Sequence, residues 1–201
     1  MKLIAFILCV SCLTFISKAQ SNYFDSIQSI RTEHYNDLFK PDNLVLNNEE
    51  KEKIKSLDYF PIDTINKLNA VFTLEIGKLF ALPTSSGTDK AYRKYGYLSF
   101  TWNNEPQKLY VYQDIKLSKR KGFEDHLIIP FKDVTSAKET YGGGRYIDFK
   151  IPTTTNVVLD FNLAYNPYCA YSHRFSCPIP PKENHLKISI TAGEKTPIEN
   201  E

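Results

Sequence analysis

Acid–base and ligand-contacting side chains crowd into about a fifth of the chain, between Thr140 and Pro181, in the strings TYGGGRYIDF and VVLDFNLAYNPYCAYSHRFSCPIPP. Asp148 and Asp160 are the carboxylates there that could act as a general base in a metal-independent hydrolysis. Arg145 directly follows Gly142-Gly143-Gly144, where its planar fork could steady an anion. The other reading of Arg145 is an internal ion pair with Asp133 or Asp148. Asp160 and Asn162 fall on one side of an extended segment, with Tyr165, Asn166 and Tyr168 just beyond its end. Hydrogen-bonding groups beside aromatic faces are what a sugar or peptide site requires. The same residue types also cap an Asn-Pro turn and pack on a sheet. Both readings stand at this level.

The remaining constellations are thinner. Cys169-x3-His173-x3-Cys177-x7-His185 contains the residue types of a zinc site but lacks the tight Cys-x2-Cys knuckle. Two cysteines in an oxidising compartment read first as a Cys169–Cys177 disulfide. Closing so short a loop is worth roughly 2.5 kcal/mol in the chain-entropy model, enough to staple a loop but not to hold a fold. The same redox argument counts against a Cys169 nucleophile with His173 or His126 as its base. The triple glycine has no Gly-Lys-Ser/Thr and is followed by a strand, so it reads as a bend permitting positive φ, not as a phosphate loop. Glu124, Asp125, Asp133, Asp148, Asp160 and Glu183 could supply a glycosidase pair, but their spacing selects no two. No Gly-x-Ser-x-Gly elbow occurs. Lys116–Lys121 reads as a solvated basic turn. No metal and no cofactor is expected.

These residues must be positioned by strands. Tyr23, Ile27, Ile30, His34 and Leu38 recur at three and four, a helix ended by Pro41. Asn47-Asn48-Glu49-Glu50 starts a second helix with acidic residues in its first turn. After Lys67 the period becomes two: Ala70, Phe72, Leu74 and Ile76 alternate with Val71, Thr73 and Glu75. Strands follow at Lys78–Leu82, Tyr95–Trp102, Gln107–Gln113, Leu127–Phe131, Arg145–Lys150, Asn156–Phe161 and Leu186–Thr191. The turn at Asn103–Pro106 makes a hairpin. Pro130 places its strand at an edge or ends it. The expected fold is all-β, a mainly antiparallel sandwich or barrel with a short N-terminal helical segment. The expected organisation is a leader at 1–19, a helical lead-in at 20–66, a β-rich domain at 67–195 and a tail at 196–201.

The leader is read from Lys2, the apolar run Leu3–Ser17 and the small residues of Ser17-Lys18-Ala19, with cleavage before Gln20. Cys9 and Cys12 lie inside the apolar run, against a lipidated cysteine. No later segment is apolar enough to span a membrane. The chain carries 25 Lys+Arg and 23 Asp+Glu, a net charge of +2 that falls to zero once Lys2 and Lys18 leave. A neutral chain carries no electrostatic footprint for nucleic acid. The expected location is periplasmic or secreted. The 13 Tyr and 13 Phe suit a β-sheet with polar ligand surfaces.

PFKDVTSAKETYGGGRYIDF, DFNLAYNPYCAY, CPIPPKENHL and the closing AGEK resemble the bacterial family known as domain of unknown function 1684. The resemblance runs from about Asp58-Tyr59-Phe60-Pro61 to Lys195. It implies a β-rich single domain and carries no established substrate. Three functions remain in view. The first is a binding module for a small polar ligand or glycan at the 140–184 edge, with Arg145, Asp160, Asn162, Tyr165, Asn166 and Tyr168 as contacts. The second is a hydrolase-like enzyme using Asp148 or Asp160 as base. The third is a purely structural or partner-binding protein.

Overall fold

The computed structural model describes residues 2–40 and 45–200, with side chains from residue 21 onward. The leader expected over 1–19 lies outside the described side chains. The chain divides into two compact units, Met1–Asn43 and Leu44–Glu201.

In the first unit, helix α1 runs Lys2–Phe39. It stops just before the residue preceding Pro41, a position that disfavours helical backbone. In the second unit, α2 spans Asn48–Lys53 and begins with a reciprocal cap. The Asn47 side chain accepts from the Glu50 amide (2.8 Å), and the Glu50 carboxylate accepts from the Asn47 amide (2.9 Å). Strand β1 (Ile54–Ser56) pairs antiparallel with β9 (Ile198–Glu199), so the segment read as a tail is hydrogen-bonded to the domain.

The main sheet contains β2 (Lys67–Leu74), β3 (Leu79–Pro83), β4 (Asp89–Trp102), β5 (Glu105–Asp114), β6 (His126–Phe131), β7 (Arg145–Lys150) and β8 (Asn156–Asp160). All pairings are antiparallel, in the order β7-β6-β5-β4-β2-β8 with β3 beside β4. The expected antiparallel β class is what forms, and the sheet curls into a half-barrel. Alternation along each strand sends Ala70, Phe72, Leu98, Phe100, Leu109, Val111, Leu127, Ile129 and Ile147 to one face, where they form the core with Phe131, Phe161 and Ile190. The register slips between Lys94 and Gly96 in β4. Beyond this bulge, Tyr92 turns to the other face and joins a second cluster with Leu82, Tyr112, Ile128, Tyr146 and Cys177. The β4–β5 hairpin turns on Asn103 and Asn104 at φ 47° and 66°, the left-handed pair a two-residue loop needs.

Two expectations fail for identifiable reasons. Of the two alternatives for Pro130 the edge fails, since β6 lies between β5 and β7, whereas β6 does end one residue on, at Phe131. Proline has no N–H to donate, and β5 and β6 share a single registered pair, Tyr112 with Ile128. Asn184 fills the resulting gap. Its carboxamide accepts from Tyr110 N (2.7 Å) and donates to Tyr110 O (2.9 Å) and Pro130 O (2.8 Å). A side chain thus completes the ladder where the backbone cannot.

Leu186–Thr191 is not a strand. Its backbone pairs irregularly with the 132–134 segment, Leu186 N donating to Lys132 O (2.8 Å) and Ile188 O accepting from Val134 N (3.0 Å), and side chains hold the rest. Ile190 N donates to Asp133 (3.1 Å), and Ile190 O accepts from Arg145 (3.0 Å). Alternating apolar residues are still present, with Leu186 and Ile190 buried and Ile188 packed against the core. The period-two pattern therefore reads burial correctly, while the pairing it implies is reduced to backbone bonds with residues 132–134 short of a strand.

Candidate functional site

The polar residues that stood out in the sequence are mostly spent inside the protein. Arg145 is 1 % exposed and pairs with Asp133 at 2.9 Å. Its guanidinium also donates to the carbonyls of Ile190 (3.0 Å), Ala192 and Glu194 (3.3 Å). Burial lowers its pKa against the opposing pull of Asp133. Asp133 in turn accepts from the Thr135 amide (2.9 Å) and hydroxyl (2.5 Å), and the Thr135 hydroxyl meets that of Thr140 (2.9 Å). The glycine bend between them works as expected at Gly144, where φ is 92° and an added Cβ would sit 2.6 Å from Phe131 O.

Asn166 is fully buried. Its amide donates to Glu194 (2.8 Å) and its carboxamide to Lys195 O (2.7 Å), while Tyr171 donates its hydroxyl to the same buried Glu194. The strings NPYCAY and AGEK are thus two halves of one internal network. Tyr165 is half-buried, packs edge-on against Tyr146 (6.1 Å) and donates to Asp148 at 2.7 Å. Burial first, and the Asp148 charge second, raise its phenol's pKa well above the ordinary range. Tyr168, 43 % exposed, packs against Phe175.

The two candidate bases do not converge. Asp148 lies on β7 and Asp160 on β8, at opposite ends of the strand order. Asp148 is exposed and also contacts His126 Nε2 at 3.2 Å. Asp160 is buried and accepts from both the amide (3.0 Å) and the carboxamide (2.9 Å) of Asn162.

Cys169 and Cys177 are free thiols, where the sequence reading joined them in a disulfide. They are nonetheless adjacent, with Cys169 N donating to Cys177 Sγ at 3.2 Å. Among the described residues, no three His, Cys, Asp or Glu side chains converge as a metal site. His173 is exposed and His185 lies 3.0 Å from Pro180 O.

Asp160 and Asn162 lead to a place the sequence did not single out. Asn162 clamps the chain at Asp63, accepting from Asp63 N (3.1 Å) and donating to Asp63 O (2.8 Å). Asp63 caps the short 3-10 turn Thr64–Asn66 by accepting from Ile65 N (3.0 Å). That turn, the end of β4 and the segment at Ser189–Thr191 enclose a groove of ≈ 520 Å³. Trp102 and Phe60 supply its aromatic walls, and Ile65 and Leu68 its aliphatic ones. Trp102 is braced edge-on by Phe161 at 5.9 Å, itself in edge contact with Phe100 and Phe131.

The polar groups around this groove are less engaged than most of those of the 140–184 stretch, where Asn166 Oδ1 is buried without a partner among the described residues. Asn66 is only 4 % exposed, yet its carboxamide makes no hydrogen bond among the described residues. The Trp102 indole N–H, the Asn103 carboxamide and the Ser189 and Thr191 hydroxyls are likewise unengaged among those residues. No local motif marks this set. The sole tryptophan beside a left-handed Asn-Asn turn was the only signal available.

Comparison with known proteins agrees with the fold. The chain is similar to an uncharacterized protein of Haloarcula marismortui whose solution NMR structure aligns with TM-score 0.67 at 30 % sequence identity, covering 89 % of this chain and 97 % of that one. No curated protein matches the sequence. Residues 52–195 match the model of a protein family of unknown function (DUF1684), and the chain belongs to that family.

Proposed function

We propose that this protein is an exported, non-catalytic binding module for a small neutral polar ligand, a glycan, held in the groove beside Trp102. One observation carries the reading: Asn66 lines the groove nearly buried, with its carboxamide unspent. A ligand hydroxyl in the groove would give that carboxamide a hydrogen-bond partner. Trp102 offers a ring face for a sugar, and Asn103, Ser189 and Thr191 offer donors and acceptors at the rim. The volume lies within the range of about 300–1,000 Å³ common for small-molecule sites. Asp160 and Asn162 act here as positioning residues, since they hold the Asp63–Asn66 turn that forms one wall.

The apolar leader and the zero charge of the processed chain support export over nucleic-acid binding. Among the described residues, no helix is long and apolar enough to cross a membrane.

Because Trp102 is the sole tryptophan, its emission reports on the groove directly. Cellobiose, maltose and the N-acetylglucosamine disaccharide are suitable first probes. Saturable quenching by one of them, lost in Asn66→Ala at unchanged melting temperature, supports the reading. An emission indifferent to every probe removes it.

A further inference from the structure

Outside the groove, two reactive side chains of unequal burial meet at the Cys169–Cys177 pair. Cys169 sits in the 3-10 turn Tyr168–Ala170 and is half-buried. Cys177 is buried in the second cluster against Leu82, Tyr92 and Tyr146. Its backbone is strapped to the turn after β3, with Ser85 N donating to Cys177 O (2.9 Å) and Cys177 N to the Ser85 hydroxyl (3.1 Å). Cys177 is therefore fixed, and its sulfur is held against the Cys169 amide. Tyr141 brings its hydroxyl within 3.8 Å of Cys169 Sγ. Cys169 is thus the more exposed of the two residues, and Cys177 is buried beside it.

We propose that Cys169 and Cys177 form a thiol–disulfide exchange pair, with Cys169 the attacking sulfur, Cys177 the resolving sulfur and a disulfide R–S–S–R′ as substrate. This goes beyond glycan binding and does not depend on it. In the first step the Cys169 thiolate attacks one substrate sulfur, the S–S bond breaks, and R′S⁻ leaves to take a proton from solvent. In the second step Cys177 gives up its proton, its sulfur attacks Cys169 Sγ in the mixed disulfide, and RS⁻ departs. The pair loses two electrons and the substrate disulfide gains two. The reverse sequence lets the oxidised pair pass its disulfide to a dithiol.

The local chemistry matches the division of roles. The hydrogen bond from Cys177, with smaller contributions from Ser85 and Tyr141, lowers the Cys169 thiol to about 6. The same shared hydrogen bond, followed by burial, raises Cys177.

The test uses the reduced full chain, with labels assigned by peptide mass so that Cys9 and Cys12 are scored separately. Iodoacetamide should label Cys169 well before Cys177, with a rate that is half-maximal below the pH of an ordinary thiol. Glutathione disulfide should release both its halves as thiol and leave an intramolecular Cys169–Cys177 bond. Cys177→Ser should trap glutathione on Cys169, and Cys169→Ser should trap none on Cys177. Equal labelling of the two thiols overturns the proposal. So does failure of the folded Cys177→Ser variant, checked by its circular dichroism, to accumulate the mixed disulfide. A Cys169–Cys177 bond that native-state dithiothreitol does not open also overturns it.

Discussion

Replacing Arg145 with alanine tests whether the family strings build a scaffold or a binding surface. The guanidinium is 1 % exposed, and the Asp133 side chain it faces at 2.9 Å is fully enclosed. Removing the cation leaves a buried carboxylate without its counter-charge, a change that typically costs about 3–5 kcal/mol. It also strands the carbonyls of Ile190 and Ala192, which lie outside any strand. For a chain of this size each kcal/mol moves the melting temperature by about 2–4 °C, so Arg145→Ala should melt about 6–20 °C lower. The assay is thermal unfolding followed by circular dichroism. Arg145→Ala melting within a degree or two of the parent would refute the scaffold account.

Three further outcomes follow from the same geometry. Asn184→Ala removes three hydrogen bonds to Tyr110 and Pro130 and should destabilise by about 3 kcal/mol, measured by urea unfolding. Gly144→Ala forces a Cβ against Phe131 O at a φ of 92° and should cost at least about 1–2 kcal/mol, read from the same denaturation midpoint. Glu50 holds α2 to the 172–174 segment through Arg174 (2.7 Å) and the Ser172 hydroxyl, and the Arg174 hydrogen bond lowers its carboxyl from 4.5 to about 2. A depressed carboxyl stabilises the fold fully above pH 4.5 and loses that contribution as pH falls towards 2. Glu50→Gln should flatten this part of the stability curve by about 1 kcal/mol at most, since Arg174 is half exposed and screened.

The sheet was legible because its signals are local. The alternation at Ala70, Phe72 and Leu74, the Asn103-Asn104 turn and the Asn47–Glu50 helix start each depend on neighbours a few residues away. The internal networks were not, because their partners lie far apart in sequence. Arg145 reaches 45 residues to Ile190, and Asn184 reaches 74 to Tyr110. From sequence alone, an arginine after a glycine bend looks the same whether it faces a ligand or a buried aspartate. Pro130 misled about the edge for the same reason, since the residue that replaces its missing donor is Asn184. Of the residues first singled out, Asp160 and Asn162 kept a connection to the groove, and only through Asp63, which is 99 positions from Asn162. Asn66 itself gave no signal, because its significance is an unspent carboxamide in a buried position.

The most direct measurement is a ¹⁵N correlation spectrum of the labelled protein during titration with the N-acetylglucosamine disaccharide, cellobiose or maltose. Trp102 contributes the single indole N–H resonance of the chain. With one of these sugars, glycan binding in the groove predicts saturable shifts of that resonance and of the Asn66 and Asn103 carboxamides, while the Arg145 and Asn184 side-chain signals stay in place. Shifts confined to Tyr165, Tyr168 and Asp148, or a spectrum unmoved by all three sugars, would contradict it.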